Sequence, residues 1–189
     1  MGKATVTEHS VTPYFDVEAF MTLSRETRLG GAAMERIADL WEQWLPLLNA
    51  REVNSGKISW LAVWLPESVE ETVDETWAKS PSEGYLCNNL AQFLCMSAVQ
   101  ELLPEVGEGE CAPAPRPVTT LGEALASMGV PYKGEGPTLS RRYAVATHYP
   151  YRGGCDICCL QNRCPKGQGQ PENAGIVLPG YERETNDAD

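Results

Sequence analysis

No stretch of this chain is apolar enough, for long enough, to cross a membrane. The longest apolar run, Ile58 to Leu65, is eight residues and is broken by Ser59, whereas a spanning helix needs about 20. The opening MGKATVTEHS lacks the apolar core of a secretory signal, and the expectation is a cytoplasmic protein. Histidine is nearly missing. With only His9 and His148, a histidine-based catalytic constellation is hard to assemble. There is no phosphate-cradling glycine loop, no dinucleotide fingerprint and no internal repeat. Basic residues are few, 15 against 26 acidic, leaving a net charge of −11 that disfavours broad binding to nucleic acid or anionic membranes. Nothing marks a substrate pocket, so the chain does not read as an enzyme.

What is present is an ordinary globular composition, 42% hydrophobic and 22% charged, with two unlike halves. The first hundred residues hold 4 of 14 prolines and 5 of 17 glycines. Such residues punctuate regular structure, so the front half can form long elements and the back half should be loop-rich. Asp16 is a candidate N-cap for a helix running to about Arg28 and ended by Gly30 and Gly31. Met34 to Leu48 is a clear amphipathic helix, with Ile37, Trp41 and Trp44 on its stripe. Ile58 to Leu65 suits either a buried helix or a strand; helix is preferred, since no convincing partner strand lies nearby. Ser68 to Lys79 reads as an acidic surface helix with Val69, Val73 and Trp77 inward, followed by a long buried helix from Glu83 to Leu103. Thr120 to Met128 is a short helix, and alternation from Ser140 to Tyr149 suggests a strand.

The expected fold is therefore mainly α: a small helical domain over residues 10–130, containing an exposed Pro/Gly/Glu connector at 104–117, with at most one short strand pair. A loop-rich Cys segment, 131–181, packs on it, and an acidic tail, 182–189, is expected to be disordered.

In a reducing compartment, clustered cysteines are more often metal-binding or catalytic than disulfide-bonded. The string GGCDICCLQNRCPKG places Cys155, Cys158, Cys159 and Cys164 within ten residues. Two residues between thiols let both sulfurs face one point while turn amides donate to the thiolates. The Cys–Pro ending resembles that of the bacterial ferredoxin run, a likeness of chemistry and not of spacing. Neighbouring Cys158 and Cys159 point apart in extended backbone, which a cluster several ångströms across tolerates better than one zinc ion does. An iron–sulfur cluster on these four is thus the favoured cofactor, zinc the alternative. If one of the adjacent pair turns away, Cys111 or His148 can supply the fourth ligand.

Between Pro131 and Gln170 there are six basic and two acidic residues. Arg152, Arg163 and Lys166 are the expected positive surround of the cofactor. The same island can dock an acidic protein partner; with Tyr143, Tyr149 and Tyr151 it can bind single-stranded nucleic acid, or it can simply neutralise the acidic helices. The functional expectation is electron transfer, or an accessory role to a redox enzyme. The competitors are a zinc-stabilised protein- or RNA-binding module and a thiol–disulfide oxidoreductase using Cys155 and Cys158. Cys87 and Cys95 are expected as buried small hydrophobes, and Glu67, Glu70, Glu71, Asp74 and Glu75 as a solvated helix face.

Overall fold

The computed structural model describes residues 4–107 and 110–164. The elements run β1 (Thr5–Glu8), α1 (Val17–Ser24), α2 (Gly31–Trp44), β2 (Asn49–Ser55), β3 (Ile58–Trp64), α3 (Glu67–Lys79), α4 (Pro81–Leu102), α5 (Pro104–Gly107), α6 (Thr119–Ser127) and β4 (Ala144–Tyr149). The four strands form one antiparallel sheet in the order β1-β2-β3-β4. About half of the described residues are helical. The fold is mixed α/β, which corrects the expectation of a mainly α domain with one short strand pair. Among the described residues no helix is long and apolar enough to cross a membrane.

The correction turns on Ile58 to Leu65, which is a central strand and not a helix. It pairs with β2 across a two-residue loop, Gly56-Lys57, with Ser55 opposite Ile58. Gly56 takes φ 66°, the positive value a tight hairpin loop needs at its first position and that a side chain resists. Its other neighbour is β4, with Trp60 opposite His148 and Val63 opposite Val145. A strand covered on both faces is apolar along its whole length.

One face carries Ala50, Leu61, Val63 and Val145 against α1, α2 and α4. The other carries Val53, Trp60, Ala62 and Trp64 against α6. Burying each large apolar side chain contributes about 1.5–3 kcal/mol, so the two layers lock β3, and with it β4, in register. Beneath the first face, Phe15, Phe20, Trp41 and Phe93 meet with ring centroids 5.1–6.1 Å apart, in the tilted and edge-on arrangements that aromatic quadrupoles favour.

Several helices form for the reasons read in the sequence. Asp16 caps α1 by accepting from the Ala19 amide at 3.0 Å, but α1 stops early, at Arg25 in the left-handed region. Cys87 and Cys95 are buried in α4. Trp77 is not inward: it is 40% exposed and lies against Gly84 of α4. His9 is held in place, with Nε2 3.0 Å from a Glu52 carboxylate oxygen and its ring edge-on to Tyr149.

Candidate metal centre

β4 delivers the chain to the cysteine loop. It ends at Tyr149, followed by a cis Pro150 and then by Gly153 and Gly154, with positive φ of 49° and 42°. These values let the chain turn where a side chain would be strained. Two short 3₁₀ turns follow, Gly154–Ile157 and Gln161–Arg163. The Cys158 amide donates to the Cys155 carbonyl at 3.1 Å and the Cys164 amide to the Gln161 carbonyl at 3.3 Å. Cys155 is exposed; Cys158, Cys159, Cys164 and Cys111 are half-buried.

The loop does not hang free. The connector expected to be exposed is packed at Pro113 and Pro115, both buried, and it runs beside the cysteines. The Thr147 hydroxyl of β4 donates to the Pro113 carbonyl at 3.0 Å. The Cys159 amide donates to the Ala114 carbonyl at 3.0 Å, and its thiol to the Pro115 carbonyl at 3.3 Å. At the connector's other end, the Tyr151 hydroxyl donates to Glu110 Oε2 at 3.2 Å. Cys111 sits between these ties.

Electrostatics reports the same neighbourhood. The Cys155 thiol is held above its usual range, first by loss of water and then by Cys111, Cys164, Cys158 and Glu110. Cys159 is also raised, first by burial and then by Cys158, with Arg116 opposing. Tyr132 is pushed up to about 12, mainly by burial and then by Cys159. Cys155 thus has Cys111, Cys164 and Cys158 as neighbours that raise it, whereas Cys159 faces the connector. As the side chains stand, no group of three or more His, Cys, Asp or Glu among the described residues is set to hold a metal ion.

The remaining expected residues divide. His148 lies opposite Trp60 on the α6 side of β4, and its pKa is lowered by burial and then by Arg152. Arg152 is exposed and follows Tyr151 directly. Arg163 ends the second 3₁₀ turn. Lys166, the rest of the 131–181 segment beyond Cys164, and the 182–189 tail lie outside the described residues.

The basic island splits as well. Arg142 grips Asp74 through both guanidinium ends, at 2.7 and 2.9 Å, and its amide donates to Glu70 at 3.0 Å. The guanidinium's hydrogen bonding is the main reason Asp74 sits below its usual pKa. Arg141 pairs with Glu67 at 3.0 Å. These two neutralise α3 rather than the cysteines. Sequence reasoning named Tyr151 only as a stacking residue and missed Glu110 and Arg116, which come near the cysteine loop only because the connector folds back along it.

No protein-family model matches this chain, and no curated protein or solved structure matches it.

Proposed function

We propose that the chain is an iron–sulfur protein whose cluster is held by Cys155, Cys158 and Cys164 together with one further thiolate, and that it passes electrons or serves as an accessory subunit of a larger redox enzyme. The observation that carries this reading is that the connector bearing Cys111 is tied at Glu110, Ala114 and Pro115 to the loop bearing Cys155, Cys158 and Cys164. Thiolates are the soft donors that such clusters require. The donor set therefore fits the group, and closing it needs rotations in a loop hinged at Gly153 and Gly154.

When bound, a cluster supplies one-electron chemistry. The chain's own residues would hold it and govern access. Cys155 is exposed, and Ile157 and Leu160 beside it are exposed apolar side chains, at 37% and 42%. Together with the exposed Arg152 they make a contact of the small, transient kind used in electron-transfer encounters, suited to an acidic protein partner.

Zinc remains the second reading, favoured by one feature. The connector and the cysteine loop are joined by single hydrogen bonds at Glu110, Ala114 and Pro115, so an ion shared by both would tie them. The adjacency of Cys158 and Cys159 no longer separates the metals, because Cys159 faces Pro115. The thiol-oxidoreductase alternative is disfavoured, since reactive thiols need a lowered pKa and Cys155 is raised.

Iron retention after anaerobic purification is the test. Cys155→Ser and Cys164→Ser should lose the iron, whereas Cys87→Ala, deep in α4, should keep the wild-type content. Equal loss in all three would sink the assignment.

A further inference from the structure

Four cysteines in ten residues invite the assumption that all four bind. The hydrogen bonds separate them. Cys159 is committed twice to the connector, through its amide to the Ala114 carbonyl at 3.0 Å and through its thiol to the Pro115 carbonyl at 3.3 Å. The Cys159 sulfur sits 3.3 Å from a backbone carbonyl of the connector, a contact it would have to give up to bind a metal. Cys158 and Cys159 are neighbours in sequence, with a turn at 159–160.

The same two bonds do something for Cys111. They hold 114 and 115 against the cysteine loop, while the Tyr151–Glu110 hydrogen bond of 3.2 Å holds the residue just before Cys111. The approach on that side is close: a Cβ on Gly154 would lie 3.2 Å from Glu110 Oε2 and 3.4 Å from the Tyr151 hydroxyl. Cys111 is therefore fixed from both sides next to the turn that carries Cys155. In agreement, after loss of water Cys111 is the neighbour that raises the Cys155 thiol most.

We infer that Cys111 is the fourth metal ligand, completing a Cys111, Cys155, Cys158, Cys164 site, and that Cys159 is a positioning residue that docks the connector bearing Cys111. The inference rests on the thiolate-site reading above, but not on which metal fills it. The set spans two segments, so metal binding staples the 110–116 connector to the loop after β4. Free energy of binding then appears partly as stability of this edge of the domain.

Cobalt(II) titration of the full-length, metal-free, reduced protein tests this, because the thiolate-to-cobalt band scales with the number of thiolates bound. Wild type should show four. Cys159→Ser, which keeps a donor for the Pro115 carbonyl, should show four at wild-type affinity. Cys159→Ala should also show four, weakened about tenfold, as is usual when an outer contact is lost. Cys111→Ser should show three, with affinity down by at least about 100-fold. Circular dichroism of each metal-free variant checks that the fold is kept. A three-thiolate spectrum in Cys159→Ser with four in Cys111→Ser would overturn the inference and leave the thiolate site standing. Equal spectra for the two serine variants would also overturn it. No cobalt binding by the wild type would remove the thiolate-site reading itself.

Discussion

Replacing Trp41 with alanine should destabilise the fold by about 3–5 kcal/mol, the range for truncating a buried tryptophan. Trp41 is 5% exposed and packs on Phe15 at 5.1 Å and Phe93 at 5.9 Å between centroids. The indole bridges α2, the segment before α1, and α4, so its loss leaves a cavity that three separate elements cannot close together. Domains of this size have only about 5–15 kcal/mol in total, so the variant should unfold at much lower denaturant concentration. Chemical denaturation followed by circular dichroism measures the change. A loss under about 1 kcal/mol would mean that the aromatic cluster is not the centre of the core.

The second large effect is a sign reversal between two glycines. Both Gly84 and Gly122 lie within helices, α4 and α6, where alanine is intrinsically better by about 1 kcal/mol. At Gly122 a Cβ would meet only Tyr132 Cδ2 at 3.8 Å, an ordinary contact, so Gly122→Ala should stabilise by up to about 1 kcal/mol. At Gly84 a Cβ would lie 2.5 Å from Trp77 Cγ and 2.6 Å from its Cα. The obstacle is α3 backbone, which cannot swing aside: α3 and α4 are joined through Ser80 alone, whose carbonyl accepts from the Gly84 amide at 2.8 Å. Overpacking of this kind costs about 1–3 kcal/mol and should outweigh the propensity gain. Gly84→Ala is therefore expected to destabilise, and a stabilised Gly84→Ala would show that the two helices are not in that contact.

How much of this was legible in the sequence follows from how each element is buried. α2 and α3 bury one face each, so their stripes stand out at helical period. β3 is covered on both faces and reads as a plain apolar run, the pattern that periodicity cannot assign. Its partner β2 gives no help: only Ala50 and Val53 are buried in it, and they face opposite layers, so NAREVNS never alternates. β1 is exposed at every position and is invisible for the same reason.

The site divides likewise. A Cys-x-x-Cys step is local, and the 3₁₀ turn at Gly154–Ile157 is local structure that its glycines favour. The roles of Cys111 and Cys159 are not local. They depend on the connector lying beside β4, fixed by Thr147 to Pro113, and a proline-rich acidic string gives no sign of that. For Arg141 and Arg142 the reading of the basic island as neutralising the acidic helices holds, since both pair with α3 across a distance that sequence does not show.

The central claim, a cluster held by thiolates at this edge, is tested most directly on the wild-type protein purified without oxygen, by iron, zinc and acid-labile sulfide analysis alongside a visible spectrum. The account predicts a brown protein with broad visible absorbance and with iron and sulfide near the stoichiometry of one cluster. A colourless, folded protein carrying one zinc and no sulfide would contradict the cluster while keeping the thiolate site. A folded protein with neither metal would contradict both.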